Sequence, residues 1–98
     1  MPVIYGLSFP ELAIPPTPEW LQRRGGLLRR NLQSNIVEVW LEGQPLYRLE
    51  VRPARNQYTC VIVDMTSARP ISNGSSIYAT TEQALAGGLE QLRGYLGW

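Results

Sequence analysis

Apolar and polar side chains alternate along residues 36 to 52, and Gly43-Gln44-Pro45 interrupts this alternation once. The apolar positions are Val37, Val39 and Leu41 before the break, and Tyr47, Leu49 and Val51 after it. A period of two is typical of a β-strand with one buried face, and a short break rich in glycine and proline favours a hairpin. The sequence therefore predicts an antiparallel pair of strands and the face on which each strand meets the core.

Further strands follow along the chain. Residues 58 to 63 are apolar on both faces and predict a more buried third strand. Residues 66 to 76 predict a polar loop with Pro70 and an Asn73-Gly74 turn, and residues 77 to 79 a short fourth strand. Because the first two connections are short, the first three strands should be antiparallel neighbours.

The last segment of the chain has the pattern of a helix with a leucine stripe. Leucines recur at helical spacing, at Leu85, Leu89, Leu92 and Leu96. Thr80 and Gln83 match a capping box, so the helix should run over about 81–96 and lay its leucines on the sheet. The predicted fold class is α+β. It is a two-layer sandwich in which an antiparallel sheet of three or four strands carries the C-terminal helix on one face, in the order (arm)-α-β-β-β-(β)-α.

The stretch RRGGLLRR, residues 23 to 30, lies in a segment that also has helical spacing. Thr17 and Pro18 favour a helix start, and the leucines that follow predict a helix over roughly 18–33. The arginines of this helix either are simply solvated or form a face that binds a protein or a nucleic acid: Arg23, Arg24, Arg29 and Arg30. A phosphate cradle or a membrane-surface helix fits less well, because the glycines lie mid-helix and the segment is short. Gly25-Gly26 and Gly87-Gly88 either mark close crossings between elements or merely weaken their helices.

Residues 1 to 16 are apolar but rich in proline, which predicts an extended arm ahead of a single domain at 17–98. The arm packs on its own domain or on a partner, through Tyr5 and Phe9 together with Ile4, Leu12 and Ile14. It lacks the basic region of a secretion signal, and no apolar run reaches the roughly 20 residues of a membrane span. Cys60 has no second cysteine to pair with, so the predicted location is the cytoplasm.

The residue types present exclude most catalytic and metal chemistry. The chain has no histidine and no lysine, so imidazole bases, the usual zinc ligands and Schiff-base lysines are missing. Cys60 lies in an apolar strand and is best explained as a buried hydrophobe. Glu38, Glu42 and Glu50 alternate with arginines, for which cross-strand charge pairing is a simpler explanation than a catalytic carboxylate pair. The sequence predicts a protein that is not an enzyme and that has no cofactor and no metal.

Trp40 is a large aromatic residue among charges, on the face predicted to point away from the C-terminal helix. Unless the arm or the first helix covers it, Trp40 with Arg48 and Arg52 predicts a protein–protein interaction or adaptor domain. Self-association as a homodimer, through this face or an open strand edge, is one form of that prediction. The alternative is a nucleic-acid-binding module that uses the helix arginines and stacks a base on Trp40. The net charge of +1 disfavours this alternative.

Overall fold

The computed structural model describes residues 12–72 and 75–98 of the 98-residue chain. Its elements are α1 (Glu19–Gln22), β1 (Gly26–Arg30), β2 (Ile36–Leu41), β3 (Gln44–Ala54), β4 (Gln57–Asp64), β5 (Arg69–Pro70) and α2 (Thr81–Leu96). The strands form one antiparallel sheet in the order β1-β2-β3-β4-β5, and α2 packs against β3 and β4 on one face. The predicted α+β class, the antiparallel sheet and the helix on one face are confirmed.

β2 and β3 form the hairpin that the alternation predicts. Val37 lies opposite Leu49, and both side chains are fully buried. The turn contains Gly43 at a φ of +78°, a left-handed conformation that glycine adopts without strain. A bulge between Val39 and Trp40 shifts the register near the turn, but it leaves Trp40 on the face opposite α2.

The core lies between the sheet and α2. The sheet contributes Val37, Val39, Leu41, Leu49, Val51, Cys60 and Ile62, α2 contributes Ala84, Leu85, Leu89 and Leu92, and the N-terminal part contributes Leu12 and Leu21. α2 begins where predicted, because the Thr80 hydroxyl oxygen accepts a hydrogen bond from the Gln83 backbone N–H at 3.0 Å. Burial of each large aliphatic side chain contributes about 1.5–3 kcal/mol, so the predicted inward faces are the ones that stabilise the fold.

The glycine pair of α2 marks a close crossing between the helix and the sheet. A Cβ atom on Gly88 would overlap the sulfur of Cys60 and would press on Leu49. A Cβ atom on Gly87 would overlap the ring of Tyr78. Because both positions lack a side chain, the helix backbone lies directly on the sheet. Of the two interpretations open for this pair, the close crossing is confirmed.

The predicted helix over 18–33 is wrong. Helical structure ends after one turn, at Gln22, and the chain then turns through Gly25, which has a φ of +74°, and enters β1. In β1 the side chain of Leu28 packs against the core, whereas Leu27 is 44% exposed. As a strand, residues 26 to 30 pair with β2 along their whole length. A helix over the same segment would contain two glycines, which would cost about 2 kcal/mol.

The region between β4 and α2 also differs from the prediction. Arg69 and Pro70 pair with Asp64 and Val63 as β5, so part of the predicted polar loop is a fifth strand. The predicted strand at residues 77 to 79 is reduced to a single bridge between Tyr58 and Tyr78. The predicted Asn73-Gly74 turn lies outside the described residues.

The described end of the predicted arm packs on its own domain. Leu12 is 1% exposed, and Ile14 packs against the core cluster. The Leu28 backbone N–H donates to the Thr17 hydroxyl oxygen at 3.2 Å, which ties this segment to β1. Leu12 is therefore part of the core and Ile14 packs against it, as expected of an arm that packs on its own domain. Ile4, Tyr5 and Phe9 lie outside the described residues.

Candidate functional site

The sheet face opposite α2, here called the outer face, carries the predicted tryptophan. By strand register this face also bears Leu27, Arg29, Glu38, Arg48, Glu50 and Arg52. Trp40 lies directly opposite Leu27, and Glu38 lies opposite both Arg29 and Arg48. Among the predicted site residues, Trp40, Arg29, Arg48 and Arg52 therefore share one surface.

Trp40 is held in a fixed orientation on the outer face. Its indole N–H donates to Glu38 Oε1 at 2.8 Å, and the guanidinium carbon of Arg29 lies 4.7 Å from its ring centroid. Glu38 is held in turn, since its Oε2 accepts a hydrogen bond from Asn31 Nδ2 at 2.7 Å. We call the half-buried Trp40, the stacked Arg29 and the exposed Leu27 the Trp40 platform.

Arg48 and Arg52 both contact one carboxylate. Glu50, whose side chain is 11% exposed, has Oε2 2.6 Å from Arg48 Nε and Oε1 2.6 Å from Arg52 Nη2. The Arg52 contact is a hydrogen bond, whereas the Arg48 contact lacks hydrogen-bond geometry and is a charge contact. These pairs run along β3, and not across strands as predicted, because residues two apart on a strand share a face. Both oxygens of this carboxylate are therefore engaged by guanidinium groups.

The four arginines of residues 23 to 30 do not share a face. Arg23 lies 3.3 Å from Glu19, an exposed pair, and Arg24 lies 4.5 Å from the ring centroid of Trp98. Because β1 is a strand, successive residues alternate, so Arg29 faces the Trp40 platform and Arg30 points to the other side. The arginine face expected of a helix is thus absent, and Arg29 alone of the four belongs to the outer face.

A second surface, which the sequence did not predict, lies where the N-terminal segment passes α2. A groove of about 440 Å³ separates the two, lined by Ala13, Pro15, Pro16, Pro18 and Trp20 on one side and Glu82, Leu85, Ala86, Leu89 and Glu90 on the other. We call it the acid-rimmed groove, because Glu82 and Glu90 are its two charged lining residues.

The local sequence explains both walls of the acid-rimmed groove. Prolines at three of the six positions from 13 to 18 hold that wall extended and remove three of its six backbone donors. Glu82, Ala86 and Glu90 recur every four residues on α2, which places them on one side of the helix beside the leucine stripe. This spacing is visible in the sequence, but it indicates a groove only when the proline-rich segment is known to lie beside α2.

The described residues offer little reactive chemistry. Burial, helped by the negative charge of Glu50, raises the pKa of the Cys60 thiol to about 12, so this thiol stays protonated at neutral pH. Residues 12–72 and 75–98 contain no cluster of three or more histidine, cysteine or acidic side chains that could hold a metal ion. Over the same ranges, no helix has both the length and the apolar character needed to cross a membrane.

Comparison with known proteins gives no assignment. The chain matches no protein-family model, no curated protein and no solved structure.

Proposed function

We propose that this protein is a non-enzymatic interaction domain that binds a protein partner through the Trp40 platform. The supporting observation is the fixed stack of Arg29 on Trp40 beside the exposed side chain of Leu27. Tryptophan and arginine are the residues most enriched at interface hot spots. A ring that is already oriented before binding loses little conformational entropy when a partner covers it.

The charges around the Trp40 platform favour a protein partner over a nucleic acid. Arg48 and Arg52 already contact Glu50, and Arg29 already contacts the Trp40 ring. A phosphate would have to compete with the Glu50 carboxylate and would approach Glu38. A partner surface with charges of both signs can instead complement this face without breaking those contacts.

The proposal that the domain is not an enzyme rests on the state of its reactive groups. Cys60 is buried with a raised pKa, and both oxygens of Glu50 are held by arginines. The proposed cytoplasmic location rests on the same cysteine, a free thiol that suits a reducing compartment.

Affinity capture from the native cell, followed by binding measurements on the recovered partner, tests this proposal. Trp40→Ala should weaken binding by about 30-fold or more, the effect of losing a hot-spot residue worth about 2 kcal/mol. Tyr95→Ala is the matched control, because Tyr95 is an aromatic residue that is 60% exposed on α2, away from the outer face.

Two results would contradict the proposal. A partner that binds Trp40→Ala and the wild type equally would leave the Trp40 platform without a role. Oligonucleotide binding that falls steeply with salt and requires Arg29 would favour the nucleic-acid alternative. Sedimentation that shows a dimer dependent on Trp40 would instead support the self-associating form of the proposal, with a second copy of the chain as the partner.

A further inference from the structure

We propose that the acid-rimmed groove is a second docking site, for an extended apolar segment of a partner protein with a basic residue at each end. The acid-rimmed groove lies on the α2 side of the sheet, and the Trp40 platform lies on the outer face. The two sites are therefore separate, and this proposal does not depend on the first.

The lining of the acid-rimmed groove specifies an apolar occupant. Eight of its ten lining residues are apolar, and its volume of about 440 Å³ lies within the roughly 300–1,000 Å³ of typical ligand sites. One wall is stiff, because the proline rings fix the backbone. The ring of Trp20 packs against the ring of Trp98, and their centroids are 6.3 Å apart. An apolar side chain would thus enter a site that is already formed.

The rim of the acid-rimmed groove specifies the charge of that occupant. Glu82 and Glu90 are eight residues apart on α2, which corresponds to about 12 Å along the helix axis. Glu90 is 66% exposed, and its nearest cation, on Arg93, is 3.7 Å away, so this carboxylate is only loosely paired. Two carboxylates at the ends of an apolar floor attract a segment with cations at both ends and repel an acidic one.

The walls also specify an extended conformation. In an extended or polyproline chain, residues i and i+4 are about 12–13 Å apart, which matches the separation of the two glutamates. Pro15, Pro16 and Pro18 have no N–H groups, so this wall has few donors with which to pair an added strand. We therefore expect recognition mainly through side chains, as in the binding of proline-rich segments to aromatic grooves.

A random 12-residue peptide library displayed on phage is a suitable probe, selected on the immobilised wild-type chain. The selected peptides should share an apolar stretch between two lysines or arginines placed four residues apart. A fluorescent copy of the best peptide then gives the dissociation constant by anisotropy. Glu82→Gln and Glu90→Gln should each weaken binding about threefold, and the double variant about tenfold.

Matched variants separate a specific site from general charge attraction. Gln83→Lys adds one positive charge to the same helix outside the groove, the same change in net charge as Glu82→Gln, and should alter binding less than twofold.

Ala86→Arg should abolish binding by filling the groove. Glu82→Lys combined with Glu90→Lys should reverse the preference, so that peptides with acidic ends are selected. Trp40→Ala should leave peptide binding unchanged, which distinguishes this site from the Trp40 platform.

Several results would overturn this proposal. One is equal selection of the same peptides on the wild type and on the Ala86→Arg variant. Another is a selected motif without basic residues. A dimer that is lost in both Ala86→Arg and Leu32→Asp would make a second copy the occupant, since Leu32 is fully exposed beside Arg30.

Discussion

The two glycine pairs of the chain lie in segments where leucines recur at helical spacing, yet the two segments fold differently. Gly25-Gly26 ends a one-turn helix and starts a strand, with Gly25 in the left-handed region at a φ of +74°. Gly87-Gly88 lies within a 16-residue helix and allows that helix to contact Cys60 and Tyr78. Gly25 provides backbone freedom, whereas Gly87 and Gly88 provide space. Gly26 also provides space, because a Cβ atom there would overlap Leu21 and Leu41.

In this chain, leucines at helical spacing form a helix where they pack together against the core. Around Gly87-Gly88, Leu85, Leu89 and Leu92 are all buried. Around Gly25-Gly26, Leu21 is buried and Leu28 packs against the core, but Leu32 is fully exposed. There the left-handed conformation of Gly25 follows the end of α1, and the chain continues as β1.

Gly88→Ala should have the largest effect, a loss of about 3 kcal/mol in the free energy of unfolding, because its methyl group would overpack the core. The new Cβ would overlap the Cys60 sulfur. Urea denaturation measures the loss. The double variant Gly88→Ala with Cys60→Ala should lose at least about 1 kcal/mol less stability than the sum of the two single losses. The reason is that the sulfur, which the new methyl group would overlap, is then absent. Strict additivity would contradict the described contact between helix and sheet.

Gly25→Ala should destabilise the protein by about 1–2 kcal/mol, because an alanine at a positive φ is strained even though no atom lies nearby. Gly25→Asn is the control, and it should cost less because asparagine tolerates this conformation. The sign of the alanine effect is decisive. In a continuous helix over residues 18–33, the same change would stabilise the protein by about 1 kcal/mol.

Burial of the Cys60 thiol should also make stability depend on pH. The pKa of Cys60 is raised from 9.0 to about 12, so the unfolded chain releases this proton first as the pH rises. The stabilising contribution is complete below about pH 9 and is lost between there and about pH 12, with about 1 kcal/mol gone by pH 10. Urea denaturation from pH 7 to 10 in reductant measures it. Cys60→Ala should lack this loss, and an identical pH profile would refute the assignment.

Gly94→Ala should have the smallest effect and the opposite sign, a gain of about 0.5–1 kcal/mol, because alanine is the better helix former. Gly94 lies in α2 with a helical backbone, and no atom lies within 4 Å of the position that its new Cβ would occupy. Thermal unfolding measures the gain. A loss of stability at Gly94 would show that glycines in α2 matter for a reason other than contact with the sheet.

Much of the fold is predictable from local sequence pattern. The alternation from residue 36 to 52 determines the β2–β3 hairpin and its inward face, and Thr80 with Gln83 determines the start of α2. β1 was missed because RRGGLLRR has no clear period of two: it takes pairing with β2 to make it a strand. β5 was missed because two residues carry too little pattern to predict pairing with β4.

The candidate sites are less predictable than the fold. The outward direction of Trp40 follows from the alternation, but its contact with Arg29 does not, because that contact requires β1 to lie beside β2. The acid-rimmed groove was missed because it joins two segments that are far apart in the chain, residues 13–20 and 82–90. Tertiary contacts of this kind leave no local signal.

The order of strands in the sheet has a kinetic consequence. Every strand pairs with its neighbour in sequence, so each pairing closes only a short loop of chain. Such local contacts lower the entropic barrier to folding, and refolding on a timescale of about milliseconds is expected. The β2–β3 hairpin can form within about 10 μs, well before residues 12–18 reach α2. The walls of the acid-rimmed groove should therefore meet late in folding, after the sheet is complete.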